Sequence, residues 1–236
     1  MVLRVMLTGA SRGIGQAIAL RLLQDGHCLS LGVRNPDTLQ GSELDPTRWG
    51  RDRLQIHLYD ALDPQTASRW VKQSVGRNGG VDALIHCAGI LRTTGLLFAE
   101  GEQVEIESLW HTNVMGPWWL TRAAWPHLCS SGQGRIQVLV SMSGKRCKGR
   151  MAAYPVSKFA LMALCQSMRN EGWDAGIRVT ALCPSWVNTA MATSISRVEP
   201  EAMTQPQDLA AISSSLLGLP NAAVPFELMV NCSLET

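Results

Sequence analysis

Several features that mark other protein classes are scarce or missing in this 236-residue chain. Aromatic residues make up 6% of it and charged residues 17%, and 21 basic against 19 acidic side chains leave a net charge of +2. With no excess of one sign, there is no electrostatic footprint for a nucleic acid or an anionic membrane, and neither is an expected partner. The cysteines (Cys28, Cys87, Cys129, Cys147, Cys165, Cys183 and Cys232) contain no C-x-x-C pair and have no histidine at metal-ligand spacing. A metal site is not expected. An odd, scattered set of thiols reads as small buried hydrophobes in a reducing cytosol rather than a disulfide framework. No stretch reaches 18 apolar residues, and the first apolar run, in MVLRVMLTGAS, is too brief for a signal-peptide core. The expected location is therefore the cytoplasm. Repeats, linkers and low-complexity segments are lacking too.

What is present is 46% hydrophobic residues and 21 glycines in an ordinary globular balance. A chain of this size hides roughly 70% of its unfolded surface on folding and needs no staple, so one domain over residues 1–236 is the economical reading. Short apolar runs alternate with longer amphipathic ones, the pattern of strands buried on both faces with crossover helices between them. Strands are expected at Val2–Leu7, Cys28–Val33, Leu54–Tyr59, Val81–Cys87, Arg135–Ser141, Ile177–Cys183 and Phe226–Val230. Helices are expected at Ile14–Gln24, Pro64–Val75, Gln103–Leu128, Ala152–Trp173 and Pro206–Leu217, where apolar residues recur every three or four positions. Between the second and third strands, Asn35–Arg53 reads as loop with a turn or two of helix. The fold class is α/β, a doubly wound, seven-stranded parallel sheet with helices on both faces. Right-handed crossovers gather the loops after the strand C-termini on one edge, where function is to be sought.

TGASRGIG follows the first strand directly, with Gly9, Gly13 and Gly15 opening a helix near Ile14. Glycines let the backbone approach a pyrophosphate closely, and the helix N-terminus offers free N–H groups and partial positive charge. Such turns also occur without nucleotides; the position between strand and helix favours the anion cradle. The second strand ends in GVRN, so Arg34 stands where an acid would meet the ribose 2′-OH of NAD, with Arg12 in the glycine turn beside it. Two guanidinium forks suit a 2′-phosphate, which points to NADP(H) over NAD(H), the alternative being two solvated surface arginines. In AAYPVSK, Tyr154 and Lys158 are four residues apart and share a helix face. An ammonium near a phenol, helped by an oxidised nicotinamide, brings the hydroxyl toward working pH, although the pair alone also arises by chance. Ser141 ends the fifth strand, and Asn113 lies on the preceding helix.

Together these residues resemble the short-chain dehydrogenase/reductase family in its common form of about 250 residues, over nearly the whole chain. The family's T-G-x-x-x-G-I-G matches Thr8, Gly9, Gly13, Ile14 and Gly15, with Ser11 and Arg12 inside it, and its Y-x-x-x-K matches Tyr154 and Lys158. Its active-site serine matches Ser141 and its helix asparagine Asn113. IRVTALCPSWVNT resembles the segment that touches the nicotinamide amide, through Pro184, Val187 and Thr189. Asp60 resembles the adenine-side aspartate. Where the family has N-N-A-G, this chain has His86, Cys87, Ala88 and Gly89, so two asparagine side chains are absent while the turn beside the cofactor can persist. Pro155 after Tyr154 demands that the tyrosine stand in the first helical turn. The tail FELMVNCSLET lacks the family's frequent V-D-G-G ending.

The resemblance implies a Rossmann-type dinucleotide fold and an NADP(H)-dependent carbonyl reductase, or alcohol dehydrogenase in reverse, acting on a small or medium organic molecule. Ser141 and Tyr154 bind the carbonyl, Tyr154 supplies the proton, Lys158 holds the nicotinamide ribose, and Asn113 anchors a water. Met142, Met151, Trp186 and Met191 adjoin the motifs and are candidates for an apolar pocket or for plain packing. The basic run KRCKGR suits an anionic or carrier-bound substrate, or is a solvated loop. Trp110, Trp118, Trp119 and Trp125 suit either a homo-oligomer interface or the core. Ala190–Gln205 reads as a mobile flap. The rival functions are a 3-oxoacyl thioester reductase and a nucleotide-sensing protein without chemistry.

Overall fold

Alternation along each strand decides how the sheet is covered. On β1 (Arg4–Thr8), Val5 and Leu7 point to one side and Met6 to the other; on β4 (Ala83–His86), Ala83 and Ile85 share the first side and Leu84 the second. The computed structural model describes residues 1–231, and in it β1, β2 (Cys28–Val33), β3 (Leu54–Leu58), β4, β5 (Arg135–Leu139), β6 (Arg178–Pro184) and β7 (Glu227–Val230) pair in parallel. The strand order is β3-β2-β1-β4-β5-β6-β7. Cys232 and the end of the FELMVNCSLET tail lie outside the described residues. The expected doubly wound α/β sheet is thus the observed one.

One face carries α1 (Gly13–Gln24) and α8 (Pro206–Leu217), whose Ile18, Leu22, Ala210 and Leu217 pack with Leu29, Leu31 and Ile85. The other face carries α3 (Pro64–Asn78), α5 (Gly116–Ser130) and α6 (Ala153–Gly172), through Trp70, Leu120, Leu161 and Cys165 against Ile136, Val138 and Ala181. The β2–β3 crossover holds a 3-10 turn at Pro36–Leu39 and the short α2 (Pro46–Trp49), close to the expected loop with a turn or two of helix. The order reverses between β1 and β4, and a crevice opens there beyond the strand C-termini.

One expected element is divided. In place of a single helix over Gln103–Leu128, α4 (Gln103–Trp110) and α5 are joined by a π-helical turn at His111–Met115, where the Gly116 N–H bonds to the His111 carbonyl five residues back. Pro117 explains the break. It has no N–H to give to the Asn113 carbonyl, so the i→i−4 ladder cannot run through. Strand ends also shift by one or two residues: β4 begins at Ala83 rather than Val81, and β1 runs from Arg4 through Thr8.

Candidate active site

The glycine turn is shaped by its neighbours. Gly9 has φ +75°, and a Cβ there would come 2.7 Å from the Ala88 nitrogen; a Cβ on Gly15 would come 2.3 Å from the Gly9 carbonyl oxygen. Only glycine permits this approach of backbone to backbone. Thr8, at the end of β1, accepts hydrogen bonds from the Cys87 and Ala88 N–H groups at 3.1 and 3.0 Å. That hydroxyl holds the β4 loop in place without the two asparagines. Arg12 precedes α1 with no side-chain cap, and the first turn holds no acid, so the helix N-terminus stays open to an anion.

A cleft of about 1010 Å³ runs from this turn across the strand ends. It is lined by Gly9, Ser11, Arg12, Gly13, Ile14 and Gly15, then by Arg34 and Asp60 at one end, and by Ala88, Gly89, Ser141, Tyr154, Lys158, Pro184, Val187 and Thr189 toward the other. Arg12 and Arg34 are exposed, and neither forms an ion pair among the described residues. Asp60 is fixed by accepting the Leu62 N–H at 3.0 Å. Thr189 caps the short α7 (Ala190–Thr193) by accepting the Ala192 N–H. Its methyl would lie 3.2 Å from a Cβ on Gly13, so the segment after β6 closes onto the glycine turn.

Tyr154 is the second residue of α6, within the first turn, where Pro155 is tolerated. Its hydroxyl faces the Ser141 side chain, whose polar contact favours the ionised phenol. Ser141 has φ +108°, the sole positive φ outside glycine among the described residues, and its Oγ accepts the Ser143 N–H at 3.1 Å. Such strain in a non-glycine residue costs on the order of 1–3 kcal/mol and is held in place by the packing around it. Lys158 is buried, donates to the Leu139 carbonyl at 2.8 Å, and has its Nζ 5.7 Å from the centre of the Tyr154 ring.

Asn113 is the one expected site residue that does not line the cleft. It is fully buried in the π-turn, bonded to Ile90 through the backbone N–H (2.9 Å) and carbonyl (3.0 Å) and donating to Ser157 Oγ at 3.1 Å. Ser157 in turn donates to the Tyr154 carbonyl at 2.7 Å. Sequence reasoning passed over Ser157, although it sits inside the same YPVSK segment, three residues after the tyrosine. Gly116-Pro117 was likewise the available signal for the helix break.

Burial governs protonation here. The Tyr154 hydroxyl is pushed up to about 12, with the Ser141 contact offsetting a part. The lowering expected from the Lys158 ammonium does not contribute to this shift, which loss of water around the phenol dominates. Lys158 is pushed down to about 8 by the same desolvation, against the pull of nearby thiols. His86, bonded through Nε2 to Thr121 Oγ1 at 2.9 Å, is driven down to about 3 by complete burial.

The four candidate pocket residues all line the cleft. Met142 is also part of the core, Met151 packs beside Tyr154, Trp186 is half-buried and Met191 is exposed. The tryptophans divide: Trp119 and Trp125 pack against the core, while Trp110 and Trp118 are 43% and 51% exposed. Of the Ala190–Gln205 segment, Thr204 is tied to Val187 by a β-bridge. Six cysteines among the described residues are unpaired, and no group of three or more His, Cys, Asp or Glu among those residues could hold a metal ion. No helix among them is long and apolar enough to cross a membrane.

A parallel doubly wound sheet with a glycine cradle and a Ser-Tyr-Lys cluster over its switch point defines a class of nicotinamide-dependent oxidoreductases. The chain belongs to the short-chain dehydrogenase/reductase family: the family model for short chain dehydrogenase matches residues 4–200. It is 32% identical over 232 residues to agropine synthesis reductase of Rhizobium rhizogenes, a match covering 98% of this chain and 53% of that protein. The chain thus spans about half the length of that relative. It is 27% identical over 228 residues to acetoacetyl-CoA reductase of Allochromatium vinosum, with 90% of each covered. Its backbone is similar, at a TM-score of 0.87 and 27% identity, to the alcohol dehydrogenase of the archaeon Thermococcus sibiricus complexed with 5-hydroxy-NADP, covering 100% of this chain and 99% of that one.

Proposed function

We propose that the protein is an NADP(H)-dependent oxidoreductase that reduces a carbonyl group on a small or medium organic molecule, or oxidises the alcohol. The observation that carries this reading is the Ser141–Tyr154 hydroxyl pair inside the cleft, with the Lys158 ammonium one helical turn away. The cradle fits a dinucleotide: Gly9 and Gly15 leave no room for a Cβ, and the α1 N-terminus is open. Bound there, the nicotinamide supplies a hydride. Ser11 to Gly15 hold its pyrophosphate, Arg12 and Arg34 the 2′-phosphate, and Asp60 the adenine side. Ala88 and Gly89 flank the ribose with Lys158, and Pro184, Val187 and Thr189 hold the amide. Ser141 orients the substrate oxygen, and Tyr154, protonated well past neutral pH, is ready to give its proton in the reductive direction. Asn113 anchors a water behind Lys158.

The name of the relative from Allochromatium vinosum favours a second reading, reduction of a 3-oxoacyl thioester by the same residues. A single dinucleotide-binding unit in the cytosol, where its seven cysteines stay reduced, is the form we assign to these 236 residues. Exposed Trp110, Trp118, Val156 and Phe159 on α4, α5 and α6 support association with a second copy.

The test is NADPH oxidation against ketones, aldehydes, quinones and acyl thioesters. Tyr154→Phe is expected to lose turnover by roughly 10²–10⁴-fold while binding NADPH as before by fluorescence titration. A fully active variant refutes the role of Tyr154. Tight NADPH binding with no oxidation of any substrate in the panel assigns the protein to nucleotide sensing.

A further inference from the structure

The charges around the cleft are unevenly distributed. Its lining, among the described residues, holds a single carboxylate, Asp60, which lies with Arg12 and Arg34 at the end beyond the glycine turn. At the other end, between Ser141 and Tyr154, the lining includes three cations, Arg146, Lys148 and Arg150. Glu227 on β7 is paired at 2.9 Å with Lys145, the first cation of the run, and does not line the cleft.

This loop is anchored at both ends. At its start, the Lys145 and Arg146 N–H groups bond to the Met142 carbonyl at 2.9 and 3.2 Å, and the Lys145–Glu227 pair ties it to the sheet. At its end, Ala152 and Ala153 N–H groups both bond to the Thr94 carbonyl. A Cβ on Gly95 would come 2.9 Å from the Arg150 carbonyl oxygen, so glycine there lets the two loops close together. Lys148 and Arg150 are exposed and Arg146 is half-buried, so the tethers hold solvent-facing cations at the mouth of the cleft. Cations held beside a reacting centre stabilise an anion brought by the ligand.

Resting on the carbonyl-reductase reading above, we infer that Arg146, Lys148 and Arg150 form an anion subsite. The substrate carries a negatively charged group, a carboxylate or a carrier phosphate, that sits on this rim while its carbonyl lies at Ser141 and Tyr154. Met151 and Trp186, lining the same stretch, cover the apolar carbons between the two.

The experiment uses the whole chain with NADPH. Straight-chain oxo acids with the ketone two, three or four carbons from the carboxylate are compared with their methyl esters, and a 3-oxoacyl coenzyme A with a short phosphate-free thioester. The expected result is a kcat/KM at least tenfold higher for the anionic member of one pair, falling as salt is raised. Arg150→Ala and the double variant K148A/R150A are expected to cut that preference about tenfold, chiefly through KM, with Arg150→Lys restoring a part. A preference in the acid pair assigns the anion to a carboxylate; one confined to the coenzyme A pair assigns it to the carrier phosphate. Equal kcat/KM within both pairs overturns the subsite, as does a preference that the double variant leaves intact. Calorimetric binding of the same probes to the NADP+-loaded protein separates this inference from the one beneath it. Anions that bind in an Arg150-dependent way but are never reduced sink the reductase reading and leave the subsite standing; anions that bind no better than esters overturn the subsite whatever the turnover.

Discussion

At residue 158, burial and charge oppose each other, and the balance has a measurable consequence. The Lys158 ammonium is held down to about 8, whereas Tyr154 stands at about 12, so the first group to titrate above neutral pH is the lysine. If its positive charge is needed, kcat/KM for reduction is level near pH 7 and falls as pH rises through about 8, in a pH–rate profile. A profile flat to pH 10 would show that the charge is dispensable. His86 gives a prediction about stability instead. Its folded value of about 3 lies below the ordinary histidine value, so the folded protein needs it neutral. Stability from this group is fully present above about pH 6.5 and is lost progressively as pH falls toward 3, at up to about 1.4 kcal/mol per unit. Urea unfolding at pH 7 and pH 5 is expected to show this loss, and His86→Asn to flatten it. Arg34→Ala is expected to weaken NADPH binding about tenfold while changing NADH binding little, by titration. Equal effects on the two coenzymes would detach Arg34 from the 2′-phosphate.

Single contacts between elements matter more than propensity for the scaffold beneath the site. Gly32 on β2 faces the ring of Trp70 on α3, and a Cβ there would come 2.4 Å from that ring, whose indole N–H is held by Ser30 at 2.8 Å. Gly32→Ala is expected to lower stability by roughly 1–3 kcal/mol, read as a drop in Tm, and Trp70→Phe added to it to recover a part. Equal Tm values for Gly32→Ala and the parent protein would contradict this packing. The π-turn between α4 and α5 belongs at this scale too. Apolar residues recur every three or four positions across residues 103–128, and so coarse a pattern does not register the single extra residue that a π-turn takes up. The amphipathic pattern therefore concealed it, whereas the missing N–H of Pro117 is the local cause that a reading of proline chemistry could have found.

For the whole molecule, the exposed aromatic and aliphatic side chains on α4, α5 and α6 bear on assembly. Trp118 is 51% exposed and Val156 60%, and Trp110 and Phe159 are each 43% exposed. Size-exclusion chromatography with light scattering is expected to show a homo-oligomer, and Trp118→Glu with Phe159→Glu to yield monomer. A parent protein that is monomeric at assay concentration would refute the assembly. The cleft itself exists only at this scale, since its walls come from loops after β1, β2, β3, β4, β5 and β6.

Strand and helix order, the doubly wound sheet and the glycine, serine, tyrosine and lysine positions were legible in the sequence. Periodic burial and backbone conformation are local demands, and each leaves its mark on the residues that meet it. Other facts needed the folded chain: that Asn113 bonds to Ile90 and Ser157, that Thr8 secures the turn after β4, that Trp119 is packed while Trp118 is not, and that the basic run is tethered along the cleft. These depend on which loops meet across the sheet edge and on how much water is excluded where they meet. Neither quantity belongs to any one stretch of chain, and both arise only when the strands have taken their order.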